Sequence, residues 1–291
     1  MFQFVLLLLF TFFTATSHAG LLLTPRGDDF YHYNLSAIMI FRDEAPYLKE
    51  WIEYHRLMGV EHFYLYNNLS KDNYLKVLLP YVNTGVVTLR DWNQESHGIP
   101  SWNAVQCLAY MDGLRRARED RSKWVAIIDS DEFLVPRKED SVSSLLKKFE
   151  NDDIGGIRVL WVMFGTSGVS QIPQNKTMIE TLIKNEGYVS GMWKSIVRPD
   201  RVNPGIMGGC HGQPYLNGFV DPIIGTDVIQ CNHYWTRDEY YLYNFKIPRR
   251  VIWGNPPEVC LEWKNYFNQI TPASEPILRF VPKLRQRMGY L

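Results

Sequence analysis

The sequence predicts an α/β protein built on a doubly wound, mostly parallel sheet with helices on both faces. Three observations carry that expectation. Apolar runs such as residues 37–41 and 124–128 lack the alternation of a half-exposed strand, and strands buried on both faces belong to parallel sheets. Between the runs lie stretches with apolar residues at helical spacing, and strand–helix alternation of this kind gives parallel crossover units. The run at 124–128 ends in three acids, Asp129, Asp131 and Glu132, at the carboxyl end of a strand, where open α/β sheets bind ligands.

Taken in order, residues 1–19 hold an apolar run (4–13) followed by Ser17-x-Ala19. This reads as a signal peptide, or as a membrane anchor if Leu21-Leu22-Leu23 extends the run. Residues 20–35 read as a linker. The domain proper is expected over 36–250, with 251–291 as a C-terminal extension packed on it. It opens with a strand at 37–41 and a helix at 46–58, in which Leu48, Trp51, Ile52, His55 and Met58 share a face and Gly59 follows the end. A strand at 60–66, a short helix at 72–79 and a strand at 85–89 come next. The helix at 103–118 points Ala104, Cys107, Leu108, Met111 and Leu114 inward and leads into the strand that ends in the acids. Ser141 caps a short helix reaching Phe149. Strands at 157–164, 193–197 and 226–231 follow, separated by long loops of the kind that carry function. The loop 204–212 is rich in glycine.

Composition excludes some classes of function. Lys plus Arg equals Asp plus Glu at 31 each, so the global basic field of a nucleic-acid binder is absent. Hydrophobic content of 46% marks a folded rather than a disordered chain. Cys107 reads as a buried thiol, and an oxidising compartment would allow one disulfide among Cys210, Cys231 and Cys260 without choosing the pair. Asn34, Asn68 and Asn175 head glycosylation sequons.

Clustered acids at the end of a buried strand call for a cation, and hard oxygen ligands suit Mg²⁺ or Mn²⁺ holding a substrate's phosphates. The triplet alone is weak, since 16 Asp in this chain make about one Asp-x-Asp expected by chance. The surrounding blocks are more specific. Phe41-Arg42-Asp43-Glu44-Ala45-Pro46-Tyr47-Leu48-Lys49-Glu50-Trp51-Ile52-Glu53-Tyr54-His55 is followed by Gly59-Val60-Glu61-His62-Phe63-Tyr64-Leu65-Tyr66-Asn67-Asn68. Then come Asp129-Ser130-Asp131-Glu132-Phe133-Leu134 and Asn232-His233-Tyr234. In this order the four blocks resemble glycosyltransferase family 92 over residues 36–246. The resemblance implies a GT-A fold, a nucleotide-sugar donor such as UDP-galactose, a glycan acceptor, a divalent metal (Mn²⁺ or Mg²⁺) and usually galactosyl transfer with inversion.

By that resemblance Asp131 ligates the metal, Asp129 meets the metal or the donor ribose, and His233 is a third ligand; its alternative is a satisfied core histidine. Glu132 is read as a buttress. Arg42, Asp43 and Glu44 follow the first strand, where a nucleotide would lie; the family more often has Asn at the position of Asp43. Asn67 and Asn68 either contact the donor or simply form a turn. Lys194 looks like a family lysine able to meet diphosphate, and Arg198 flanks the same strand; surface charge is the alternative for both. His211 also resembles a family residue. Inversion needs a general base, for which Asp221, Asp238 and Glu239 are candidates that nothing in the sequence separates. The leading rival is a secreted sugar-binding protein on a degenerate transferase fold. A phosphatase of the haloacid-dehalogenase type is disfavoured by Phe133, which stands where its motif wants Thr or Val. The N-terminal run points to the secretory pathway or cell envelope.

Overall fold

The computed structural model describes residues 30–187 and 189–290, so the predicted signal peptide or anchor lies outside the described residues. Among the described residues no helix is long and apolar enough to cross a membrane. Strand β1 (Tyr33–Phe41) begins inside the stretch predicted as linker, and the first helix and two further strands follow as α1 (Ala45–Leu57), β2 (His62–Asn67) and, after α2 (Tyr74–Asn83), β3 (Val87–Asp91). The long helix α3 (Ile99–Glu119) leads to β4 (Ser122–Ile127). The predicted acid-ended strand is thus two strands, because the chain leaves the sheet after Ile127 and re-enters it as β5 (Glu132–Pro136).

The remaining elements are α4 (Val142–Leu146), β6 (Gly156–Met163), α5 (Met178–Thr181), β7 (Trp193–Val197), β8 (Ile223–Ile224) and β9 (Ile229–His233), then α6 (Glu239–Tyr241), α7 (Ile247–Ile252), α8 (Pro257–Phe267) and α9 (Val281–Met288). The sheet runs β3-β2-β1-β4-β7-β6-β9-β5, with β8 beside β6. β1 to β4 are parallel, as predicted for strands buried on both faces. The second half is mixed, since β7 is antiparallel to both β4 and β6, and β5 is antiparallel to β9.

Alternate residues of β1 build two cores. Leu35, Ala37, Met39 and Phe41 pack with α1, α4 and α9, while Ile38 and Ile40 pack with α3 on the other face. Helix α1 buries Leu48, Trp51, Ile52 and Tyr54, each worth roughly 1.5–3 kcal/mol of transfer free energy. Gly59 ends it at φ +89, and a Cβ there would meet Ser143 Cβ at 2.4 Å, so glycine is required on two counts. The predicted phase of α3 needs correction. Cys107 and Leu114 are buried as predicted, but Ala104 and Leu108 are exposed, and Val105, Gln106, Ala109, Tyr110, Gly113 and Ala117 complete the buried stripe. Small residues bring the helix onto the sheet: a Cβ on Gly113 would stand 2.8 Å from Ile38 Cγ2. In the C-terminal segment, Leu284 and Met288 of α9 join the first core, and Lys49 Nζ donates to Met288 O at 3.0 Å.

Glu50 is a buried acid on α1 that sequence periodicity does not explain. It accepts from the Met178 and Ile179 amides at 2.8 and 3.1 Å, satisfying the start of α5, and burial pushes its carboxyl up to about 7. A raised carboxyl contributes stability that is full below the ordinary value of 4.5 and is lost as pH rises to about 7. Glu50→Gln should therefore flatten that stretch of the stability–pH curve by on the order of 3 kcal/mol. Urea denaturation of both proteins at pH 4.5 and 8 measures the difference; parallel curves would mean that another group titrates.

Candidate active site

Sheet order places the acids. Strand order reverses between the parallel neighbours β1 and β4, since β2 and β3 are added on one side of the pair and β7 on the other. Ligands of open sheets bind at such a switch point, outside the strand ends. Here a cavity of about 420 Å³ opens, floored by Asp129, Ser130 and Asp131 and walled by the ends of β1, α3, α7 and the glycine-rich loop. The registers complete it. Ser195 lies opposite Ile127, which brings Lys194 to the end of β4. Glu132 lies opposite His233, which brings the end of β9 to the same turn.

The turn itself is held from below. Trp51 Nε1 donates to the carbonyls of Asp129 (2.9 Å) and Glu132 (3.0 Å). The buried Arg237 donates to Ser130 Oγ at 3.0 Å, pairs with Glu44 and stacks over Tyr47.

Asp129 accepts three side-chain hydrogen bonds. Lys194 Nζ donates to its Oδ2 at 2.8 Å, and Tyr110 OH and Gln106 Nε2 donate to its Oδ1 at 2.6 and 2.8 Å. Against the upward push of burial, the Lys194 ammonium holds the Asp129 carboxyl below its usual range. Lys194 is 1% exposed; burial disfavours its charge, but Asp129 and Glu132 hold its pKa well above the ordinary lysine value. Glu132, wholly buried, accepts from the Asp129 amide at 2.8 Å, and burial raises its carboxyl to about 7 despite Lys194 at 3.4 Å. Of the three predicted ligands, Asp129 is the one already carrying three protein hydrogen bonds, two on Oδ1 and one on Oδ2.

Asp131 and His233 differ from it. His233 Nε2 lies 3.5 Å from Asp131 Oδ1, its ring rests on Trp161 at 4.4 Å, and Lys246 Nζ stands 3.3 Å from Asp131 Oδ2. Burial works to raise the Asp131 pKa, but Lys246 and the His233 ring hold it well below the usual carboxylate range. Burial lowers the pKa of Lys246 in spite of Asp131. Among the described residues no three His, Cys, Asp or Glu side chains converge as a closed metal cage. Mn²⁺ and Mg²⁺ do not need one, since they bind through one or two protein groups plus substrate phosphates and water. The pair fits that role. His233 Nδ1 and Glu132 Oε1 are buried without hydrogen-bond partners and face each other at 3.9 Å, the order of a carboxylate–imidazole–metal arrangement.

Other predicted residues are distributed unevenly. Arg42, Glu44 and His211 line the cavity, with His211 Nδ1 2.9 Å from Trp193 O. Asp43, Asn67 and Asn68 do not. Asp43 Oδ1 accepts from the Lys71 amide, Asn67 bonds Tyr74 and Asp91, and Asn68 donates to the Trp92 and Gln94 carbonyls, so these are turn-building side chains. Arg198 points elsewhere, over Trp124. None of the three candidate bases reaches the cavity. Asp221 pairs with Arg158, Asp238 caps α6 and accepts from the Ile172 amide, and Glu239 pairs with Lys264. The cavity also holds residues the sequence reading misses, Gln106, Trp161, Lys246, Arg249 and Arg250, and Tyr110 reaches Asp129 from outside its lining. For Gln106 and Tyr110 the signal was present, as two polar-tipped residues four apart on a helix.

Lys194→Met should leave Asp129 and Glu132 as buried carboxylates without their cation, at a loss on the order of 3 kcal/mol at pH 8. The loss should shrink at pH 5, where the stranded acids take up protons. Urea denaturation at both pH values tests this, and a small, equal loss at each would show that the ammonium does not neutralise them.

With this geometry in place, comparison with known proteins identifies the chain. The pattern of glycosyltransferase family 92 matches residues 36–211, more than half of the sequence. A family 92 protein of Oryza sativa subsp. japonica is 30% identical over 208 residues, covering 69% of this chain and 33% of the relative. One from Arabidopsis thaliana is 25% identical over 247 residues, covering 81% and 40% respectively. The chain thus spans about a third to two fifths of the length of the curated relatives it matches. Among solved structures, TarS 1-349 of S. aureus aligns at a TM-score of 0.40 and 12% identity, covering 79% of this chain and 69% of that one. The same protein in complex with UDP-GlcNAc aligns at 0.31 and 12%, covering 57% and 45%. The family pattern ends at His211, before His233, Lys246 and Arg249, so the far wall of the cavity is built by sequence beyond it. On its family pattern and its relatives, this α/β chain belongs to glycosyltransferase family 92.

Proposed function

We propose that the chain transfers a hexose, galactose first among them, from a UDP-type nucleotide sugar to a glycan hydroxyl with inversion, and depends on Mn²⁺ or Mg²⁺. One observation carries the reading: the Asp131–His233 pair, 3.5 Å apart, lies on the floor of the switch-point cavity, beneath a wall bearing Arg42, Lys246, Arg249 and Arg250. A divalent ion held there would act as a Lewis acid on the departing diphosphate. Lys246, Arg249 and Arg250 add positive charge for the same leaving group, in a partly closed site where such charge is worth more than in water. Asp129, kept ionised by Lys194 and oriented by Gln106 and Tyr110, offers its remaining lone-pair capacity to a ribose hydroxyl beside the end of β1. Trp102 and Trp253 stack at 6.0 Å on the cavity wall and give a sugar or base an apolar face. The N-terminal apolar run supports work in a secretory lumen or cell envelope, released or membrane-attached.

Screening UDP-sugars with and without Mn²⁺, with calorimetry of Mn²⁺ and UDP binding, tests the reading. Asp131→Asn keeps the shape of the turn but removes the charge a hard cation requires, and should lower turnover by roughly a hundredfold or more. His233→Ala should weaken Mn²⁺ binding while leaving metal-free thermal stability nearly unchanged. Metal-dependent turnover unaltered in Asp131→Asn would overturn the site, and failure of every UDP-sugar to bind would overturn the donor.

A further inference from the structure

The four cysteines are free thiols, and the structure revises the expectation about which two meet. Cys231 is sealed in β9 within the main core, and Cys260 lies in a small cluster with Trp235 and Phe267. Cys107, set aside from pairing by the sequence reading, has its Sγ 3.5 Å from that of Cys210. Both line the cavity, from opposite walls: Cys107 follows Gln106 on α3, and Cys210 precedes His211 in the glycine-rich loop.

We propose that Cys107 and Cys210 are a redox-closable pair whose disulfide straps the glycine-rich loop to α3 across the rim of the cavity. The loop has a firm foot and a loose flank. His211 is fixed by its ring to Trp193 O and by Ser195 Oγ, which donates to His211 O at 2.8 Å. On the other side of Cys210, Ile206 and Met207 are more than half exposed. Glycines at 208, 209 and 212 give the backbone the freedom to close the remaining gap between the sulfurs. The pair is also chemically poised. The Cys210 thiol beside it, and secondarily the Lys194 ammonium, draw the Cys107 thiol down to about 7, while Cys107 and burial push Cys210 up. Cys107 thus supplies the thiolate and Cys210 the resolving thiol.

With a small-molecule disulfide such as oxidised glutathione as oxidant, the steps balance. Cys107 thiolate attacks one glutathione sulfur, the glutathione S–S bond breaks, and one glutathione leaves as thiolate. Cys210 then gives up its proton and attacks Cys107 Sγ, releasing the second glutathione. Two protein thiols are oxidised to one disulfide, and one glutathione disulfide is reduced to two thiols. The strap joins the helix that orients Asp129 to the loop that carries His211, so it fixes two walls of one cavity relative to each other.

The test uses the purified full chain equilibrated in glutathione buffers from reducing to oxidising, then alkylated and mapped without reduction. A linked Cys107–Cys210 peptide is expected under oxidising conditions. Both residues recovered alkylated, or a link through Cys231 or Cys260 instead, would overturn the proposal. Oxidation should also raise the thermal midpoint by roughly 5 °C or more in the natural sequence, because the bond closes a long loop. Neither Cys107→Ser nor Cys210→Ser should show that rise; Cys210→Ser, on the exposed loop, serves if the helix variant folds poorly. A bond that forms without moving the midpoint would overturn the strap. Neither readout uses a sugar donor, so these results stand apart from the outcome for the proposed transferase reaction.

Discussion

Everything at the mouth of this sheet depends on one buried ammonium. Lys194 is sealed from water between Asp129 and Glu132, and a charge so placed is tolerable only with close partners. That requirement constrains the backbone. β7 must run antiparallel to β4 so that its first residues meet the last of β4, and the chain after Ile127 must turn sharply to present two carboxylates to one cation. Trp51 from α1 and Arg237 from beyond β9 brace the turn where Lys194 does not reach. The polar network is therefore also a registration device for three segments distant in sequence.

The acids sort into two layers with different duties. Asp129 and Glu132 form a closed layer with Lys194, Gln106 and Tyr110, in which nearly every polar atom has a partner. Asp131 and His233 form a second buried layer at the cavity, with Lys246 and the buried Arg237 as nearby cations. Glu132 joins the layers, since one of its oxygens takes the Asp129 amide and the other faces the His233 ring. Removing the charge of Asp129 or Glu132 takes one partner from the buried Lys194 and threatens the fold first.

How much of this was legible in the sequence follows from the range of each signal. The sequence reading of β7 matches its observed bounds, and Leu48, Trp51, Ile52, His55 and Met58 are buried as read, because local periodicity reports burial; the buried Glu50, Glu53 and Tyr54 lie outside that pattern. On α3 only Cys107 and Leu114 of the predicted face are buried, while Gln106 and Tyr110 are buried for their hydrogen bonds, a reason that a hydrophobic stripe cannot register. Asp129 and Asp131 look alike in a motif; only their partners, 19 to 115 positions away, give them different roles. The same holds for Asp221, Asp238 and Glu239, acids that their partners hold outside the cavity lining.

The closed layer also has a consequence for the order in which the protein is made. Asp129 and its ammonium partner are 65 positions apart. On a ribosome adding roughly 5–20 residues per second, the acid turn waits between a few seconds and about ten seconds for Lys194 to be synthesised, and longer for His233. During that time β1 to β4 have what they need to pair and to cover one face with α1 and the other with α3, yet the turn cannot be buried without stranding its carboxylates. The nascent domain must keep that end of the sheet wet until β7 arrives. The switch-point cavity is thus the last part of the first half to dry.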